Sequence, residues 1–237
     1  IDDEETGVEF ISAVKNVPAA RQGKFEVLRD PILSYSYKYP VESTQGMKLK
    51  LLQTRKPEKY SSAAPLSSNF RHRIVNQKLD FDNAVVIAMY VCPAIGFLKK
   101  FPPQDWTSQQ VADTILLDRL NAKSIEEGRR YLEQNVEGGE SYQDEDGTFY
   151  FQYEHLEPGK ITSGSSPEGR HNLAVSAARK GQGDTLYLFS LNMGCPETIW
   201  EEMKPLFYEA ANSFRIDPLG RTSEEYVPPD KDPWAIL

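Results

Sequence analysis

Histidines and carboxylates are the side chains of this sequence that could bind a metal ion or transfer a proton. The three histidines, His72, His155 and His171, are scattered and have no partner at the spacing of a metal site. The segment "ESYQDED" (140–146) resembles a calcium loop, but it lacks the central glycine and the distal bidentate glutamate. His171 stands at the head of a predicted hairpin, where it is a ligand, a catalytic base or a structural residue.

The sequence contains none of the short motifs that mark common active sites. There is no P-loop, no dinucleotide-binding GxGxxG, no GxSxG elbow, no HExxH and no CxxC. The serine-rich "SGSS" (163–166) is typical of a loop rather than of a nucleophile turn. Because no nucleophile–base pair or open ligand set is visible, we expect a protein that is not an enzyme.

The composition excludes two broad classes of protein. The chain has 237 residues, 39% of them hydrophobic, and a formal net charge of −8. That hydrophobic content is enough for a folded core, whereas the negative charge argues against a general nucleic-acid binder. No run of about 18 apolar residues is present, so we expect no membrane span. The first residue is Ile1 rather than Met, from which we expect a processed chain whose targeting segment has been removed.

One basic segment stands out against this acidic background. Between Gly46 and Lys78 there are eight Lys and Arg residues and a single acid, Glu58. Its middle part is rich in Ser, Ala and Pro, which predicts a mobile basic loop. Such a loop is either a solvated excursion or a docking surface for an acidic partner. The residues predicted to dock are Lys48, Lys50, Arg55, Lys56, Lys59, Arg71 and Arg73.

Alternation of apolar and polar residues predicts the strands that would position these side chains. "SYSYKYPVE" (34–42) and "TFYFQYEHL" (148–156) both alternate with a period of two residues. Two further strands, at about 170–180 and 184–193, are linked by "GQG", which is typical of a hairpin. The apolar run "NAVVIAMYVC" (83–92) predicts a strand that is covered on both faces.

Helices and domain limits follow from the remaining patterns. Thr107 and Gln110 predict a capping box at the start of one helix. Large apolar residues recur at helical spacing from Trp200 to Phe214 and predict a helix that lies on the sheet. We therefore expect an α+β domain at about 31–216, with an antiparallel sheet of about five to seven strands. An N-terminal arm (1–30) precedes the domain, the basic loop region (46–78) lies within it, and a C-terminal tail (217–237) follows it.

Two cysteines, Cys92 and Cys195, could form one disulfide. Their separation of 103 positions specifies neither a disulfide framework nor a metal site. We expect free, partly buried thiols, with the disulfide as the alternative.

The order of these features resembles the PsbP family of the thylakoid lumen. The resemblance covers roughly Ser34 to Ile216, and its landmarks are "DNAVVIAMYVCP", "GRHNLAVSAARK", "LYLFSLN" and a Trp200 helix that ends in "AANSF". It implies an antiparallel β-sheet sandwiched between helices. It also implies a non-enzymatic lumenal protein, peripheral to the membrane, that docks on a photosynthetic complex as an accessory extrinsic subunit or an assembly factor. Photosystem II, photosystem I and a thylakoid dehydrogenase complex all remain open as partners.

The same resemblance implies an alternative function in metal binding. His171 matches a histidine associated with metal in PsbP, but the Gly–Asp that precedes the helix tryptophan there is replaced here by "GCPETIW" (194–200). A site for Mn, Ca or Zn would then use His171 and Glu197, and no cofactor is required otherwise. The longer basic loop and the extra tail favour a divergent PsbP-domain protein over the oxygen-evolving subunit itself.

Overall fold

A seven-stranded antiparallel sheet lies at the centre of the fold. The computed structural model describes residues 23–55, 72–119, 135–157, 169–181 and 185–217. Across the sheet the strands are, in spatial order, β3 (Leu52–Arg55), β4 (Arg73–Asp80), β5 (Val85–Pro93), β9 (Leu186–Pro196), β8 (Arg170–Lys180), β7 (Phe149–Glu157) and β6 (Val136–Gln143). Every neighbouring pair in this sheet is antiparallel, which confirms the predicted sheet type.

A second, smaller sheet was not predicted. It contains β1 (Lys24–Asp30), β2 (Tyr35–Glu42) and the two-residue β10 (Arg215–Ile216), with β2 in the middle. The end of the predicted N-terminal arm is therefore a strand that pairs antiparallel with β2. Most of its side chains are exposed or half-buried, so its sequence carries a weak apolar alternation, and its hydrogen bonds to β2 define it as a strand.

Three helices pack against the large sheet within the described residues. They are α1 (Gly96–Lys100), α2 (Ser108–Arg119) and α3 (Trp200–Ser213). The predicted capping box precedes α2 as expected, because the Thr107 backbone N–H donates to Gln110 Oε1 at 2.9 Å and the Gln110 N–H donates to Thr107 Oγ1 at 3.2 Å. None of the described helices is long and apolar enough to cross a membrane.

The two faces of the large sheet bury different clusters, because successive side chains of a strand point to opposite faces. One face packs against α3 and the tyrosines of β2, and Trp200, Phe207 and Tyr35 are among its buried side chains. The other face packs Phe151 and Leu188 against α1, α2 and Trp106. The central strands β8 and β9 are consequently buried on both sides.

Several sequence predictions fall outside the described residues. They include the first 22 residues of the arm, residues 56–71 of the basic loop region and residues 218–237 of the tail. The described ends of the basic loop region form β3 and β4, which pair with each other. The predicted hairpin after Arg170 is confirmed, since β8 and β9 pair along their whole length from Arg170↔Pro196 to Lys180↔Leu186.

Candidate functional site

His171 lies in a buried cluster between the sheet and α3. Its Nε2 atom is 2.9 Å from Glu154 Oε2, and its Nδ1 atom is 3.1 Å from Glu197 Oε2. The imidazole stacks on the indole of Trp200, with ring centroids 3.7 Å apart and planes 4° apart. Both ring nitrogens and one ring face are therefore engaged by neighbouring side chains.

Glu154 is the centre of this cluster. Its Oε2 atom contacts His171. Its Oε1 atom accepts a hydrogen bond from the Tyr208 hydroxyl and forms an ion pair with Lys204 Nζ at 3.3 Å. The ammonium of Lys204 also lies 5.7 Å from the centre of the Trp200 ring. A single carboxylate thus connects β7 to β8 and to two successive turns of α3.

The local sequence explains why these side chains meet. His171 pairs with Leu156 across β7 and β8, so Glu154 is its diagonal neighbour on the same face of the sheet. After β9 the chain makes a 3-10 turn (Glu197–Ile199) and enters α3 at Trp200. This short connection carries Glu197 and Trp200 back over the start of β8. The strand register and the turn together assemble the cluster.

The electrostatics of the cluster favour the ionised carboxylate. Burial alone would raise the pKa of Glu154, but the hydrogen bonds from Tyr208 and Lys204 outweigh it, and the pKa lies below its ordinary value. Burial, together with the hydrogen bond to Glu154, raises the pKa of Tyr208. A protonated imidazole donates to both glutamates, whereas a neutral ring donates to only one of them. The cluster is therefore suited to holding α3 on the sheet.

The structure brings the predicted metal residues, His171 and Glu197, into direct contact with each other. The described residues contain no group of three or more His, Cys, Asp or Glu side chains placed to hold a metal ion. Glu154, the other carboxylate beside the imidazole, is already bound by Tyr208 and Lys204. Nothing in this arrangement favours a metal ion, and the Mn, Ca or Zn site stays a prediction.

Neither cysteine forms a disulfide, as predicted, and both thiols are buried. Cys195 pairs with His171 across β8 and β9 and points into the cluster of buried side chains under α3, whereas Cys92 belongs to the cluster on the opposite face. Their positions on opposite faces explain why no disulfide forms.

We expect neither thiol to react with iodoacetamide at about pH 8 in the folded protein, because the reactive species is the thiolate. Burial raises the pKa of Cys195 to about 12, and Cys92 is buried as well. Mass spectrometry should detect no label in the native chain and two labels after unfolding in guanidinium. Rapid labelling of the folded chain at either cysteine would contradict this burial.

The described residues that were predicted to dock lie at different positions along the strands of the large sheet. Lys50 precedes β3, and its Nζ atom forms an ion pair with Asp82 Oδ2 at 2.7 Å in the turn between β4 and β5. Its exposed neighbour Lys48 bridges to Glu42 through the backbone. Lys50 is therefore matched by an acid of the same chain. The predicted residues Lys56, Lys59 and Arg71 lie outside the described part of the chain.

Arg55 and Arg73 lie farther along the same two strands. Arg55 is the last residue of β3 and stands opposite Gln77, in the middle of β4, whereas Arg73 is the first residue of β4. Arg73 pairs with Val91 near the end of β5, and the chain continues from β5 directly into α1. The exposed Lys99 and Lys100 of α1 are consequently at this same end. We call this group (Arg73, Lys99 and Lys100) the basic end.

Two comparisons with known proteins decide the family. The sequence profile of PsbP matches residues 107–216. The chain is also 35% identical over 217 residues to PsbP domain-containing protein 5, chloroplastic, from Arabidopsis thaliana, a match that covers 90% of this chain and 69% of that protein. The chain belongs to the PsbP family. This confirms the resemblance that the sequence landmarks between Ser34 and Ile216 predicted.

Two solved structures are similar to this PsbP-family chain at lower identity. The solution structure of cyanobacterial PsbP (CyanoP) from Synechocystis sp. PCC 6803 is 16% identical, with 87% of this chain and 98% of that chain covered and a TM-score of 0.46. LpqN, involved in cell envelope biogenesis of Mycobacterium tuberculosis, is 11% identical, with 71% and 92% covered and a TM-score of 0.37. The family assignment rests on the sequence matches.

The structure of the PsbP-family chain adds residues that the sequence analysis did not single out. Glu154 lies two positions from Gln152 and four from the buried Tyr150, so strand alternation placed it on the face that α3 covers. Lys204 and Tyr208 are four residues apart and share one face of α3. Two features of the sequence could have indicated this cluster. They are a carboxylate, Glu154, at a strand position that faces the core, and a cation, Lys204, on the helix that covers this face.

Proposed function

We propose that this PsbP-family chain is a non-enzymatic protein of the chloroplast thylakoid lumen that docks on the lumenal face of a photosynthetic membrane complex. It would serve there as an accessory extrinsic subunit or as an assembly factor. The family membership supports this role, and the Arabidopsis thaliana relative is named as chloroplastic. The complex is photosystem II, photosystem I or a thylakoid dehydrogenase complex.

The observation that carries the proposal is the basic end. The chain as a whole has a net charge of −8, yet three cations, Arg73, Lys99 and Lys100, lie at the end where β4 begins and β5 leads into α1. A positive surface on an acidic protein orients it toward an acidic partner and speeds their encounter. Lys48 and Lys50 lie at the opposite end and Arg55 lies midway, so the proposal assigns docking to Arg73 and the basic end rather than to the whole predicted set.

Affinity capture from detergent-solubilised thylakoids tests this role. The tagged chain should retain one complex at low salt, and mass spectrometry of its subunits would identify the partner. Charge reversal by Arg73→Glu should lower the captured amount at least about tenfold, because like charges across an interface repel. Raising the salt concentration should release the wild type steeply, because screening weakens contacts between exposed charges.

Lys50→Glu with Asp82→Lys is the matched control. This exchange keeps the net charge and the ion pair but lies at the other end of the sheet, and we expect it to leave capture unchanged. Wild-type chain that stays fully bound at high salt would contradict the electrostatic docking. Equal losses from the Arg73 variant and the control would contradict the assignment to the basic end.

A further inference from the structure

Helix α1 presents a pair of phenylalanine rings on the surface. Phe97 is 38% exposed and Phe101 is 44% exposed, and their rings stack with centroids 4.5 Å apart. Single exposed apolar residues are common on protein surfaces, but two aromatic rings packed only half into the protein form an apolar patch. The pair is separate from the His171 cluster and lies beside the basic end.

Buried neighbours hold this patch in place. Leu98, between the two rings in sequence, is fully buried in the cluster that also contains Trp106. The Trp106 indole N–H donates to the Phe101 carbonyl oxygen at 2.8 Å, which ties the end of α1 to the following 3-10 turn. The rings are therefore presented by an anchored backbone, so little conformational entropy is lost when the patch meets a surface.

Two lysines lie between the two phenylalanines in sequence. Lys99 and Lys100 are exposed, and neither forms an ion pair with another described residue. No acidic residue lies within α1, and the nearest acid along the chain is Asp105 in the following turn. Phe97, Lys99, Lys100 and Phe101 thus form a small patch that is both apolar and cationic, which we call the α1 patch.

We propose that the α1 patch contacts the surface of an anionic lipid bilayer. Phenylalanine rings bury at the boundary between headgroups and acyl chains, and lysines beside them reach the lipid phosphates with their flexible stems. Interfaces between proteins favour arginine with aromatic residues and contain fewer lysines, so the pairing of phenylalanine with lysine favours lipid over a protein partner. The contact adds a direct membrane interaction to the proposed docking on a protein complex and does not depend on it.

The charge distribution orients the molecule in this contact. The negative charge of the rest of the chain is repelled by an anionic surface, whereas the α1 patch and the neighbouring Arg73 are attracted. Two half-exposed rings and two lysines provide weak, reversible binding rather than permanent anchoring. The patch is therefore suited to holding the chain near the membrane while the basic end engages its protein partner.

Sedimentation of the full chain with vesicles tests the lipid contact without any protein complex. The chain should partition onto vesicles of phosphatidylglycerol and phosphatidylcholine, and much less onto phosphatidylcholine alone. Lys99→Gln with Lys100→Gln should lower the partition coefficient about 25-fold, from about fivefold for each lysine. Phe97→Ser with Phe101→Ser should lower it at least about tenfold, and far-ultraviolet circular dichroism should show that both variants remain folded.

Phe81→Ser is the matched control. Phe81 is 69% exposed, more than either ring of the patch, but it lies in the β4–β5 turn at the opposite end of the strands, beside Asp80 and Asp82. Its replacement should leave partitioning unchanged, and an equal loss would show unspecific apolar adsorption and overturn the proposal. Absence of wild-type binding, or unchanged binding by the Phe97/Phe101 variant, would overturn it too. Loss of capture by the lipid-free complex in the Phe97/Phe101 variant would assign the patch to a protein partner instead.

Discussion

Replacing Glu154 by glutamine should lower the free energy of unfolding by about 2–4 kcal/mol, because this carboxylate connects β7 to β8 and α3. The substitution keeps the shape of the side chain and removes its charge. The buried His171 then loses its charged partner, where an unpaired donor is costly, and the half-exposed Lys204 loses its ion pair. Urea unfolding followed by tryptophan fluorescence would measure the difference, and circular dichroism would show whether α3 is retained.

Glu197 provides an internal control for this prediction. It contacts the other nitrogen of the same imidazole, but its side chain is 54% exposed. Ion pairs at exposed positions contribute little, so Glu197→Gln should cost less than about 1 kcal/mol. Comparable losses from the two variants would mean that Glu154 is not the centre of the cluster. A folded Glu154→Gln variant of unchanged stability would contradict the argument directly.

Asp80→Ala should be similarly destabilising, by about 2–4 kcal/mol, because one buried carboxylate organises the turn between β4 and β5. Asp80 accepts hydrogen bonds from the backbone N–H groups of Asp82, Asn83 and Lys50 and from the Asn83 side chain. Alanine removes the acceptor and leaves these donors without it. The neighbouring Asp82→Ala removes an exposed ion pair only, and should cost less than about 1 kcal/mol.

The contribution of Asp80 should also depend on pH in a defined direction. Burial alone would raise the pKa of Asp80, but the hydrogen bonds from Asn83, Lys50 and Asp82 outweigh it, and the pKa falls below the ordinary value of 3.8. A carboxyl whose pKa is lowered by folding stabilises the protein above its unfolded pKa and loses that effect as the pH falls. The stability gap between wild type and Asp80→Ala should therefore be constant near neutral pH and close below about pH 3.8. A gap that widens on acidification would contradict this assignment.

Local sequence patterns were sufficient to predict the strands and helices in which buried residues recur at a regular spacing. The β8–β9 hairpin and helix α3 were predicted because their apolar residues recur at the periods of strand and helix. The capping box at Thr107 was predicted from two residues three positions apart. Strand β1 was missed, since only its last residue is fully buried and its identity depends on pairing with β2.

The family could also be predicted from the sequence alone, because its landmarks are segments of the chain in a fixed order. His171 was recognised in this way, as part of the hairpin. Its partners were recognised only in part: Glu197 is close to it through the 3-10 turn before α3, whereas Glu154 reaches it from another strand. The metal hypothesis used Glu197, which is half-exposed, whereas the buried partner of His171 is Glu154.

The sequence by itself determined the α+β class, the hairpin, the helix on the sheet and the concentration of cations between Gly46 and Lys78. Only the tertiary structure decided where each of those cations lies. Lys50 and Arg73 belong to the same basic segment, yet Lys50 meets Asp82 at one end of β4, whereas Arg73 lies at the other end, toward Lys99 and Lys100. The physical reason is that the sequence shows only how many charged residues a segment contains. Strand order and register determine which side chains each of them meets, and they bring together residues that are far apart in sequence.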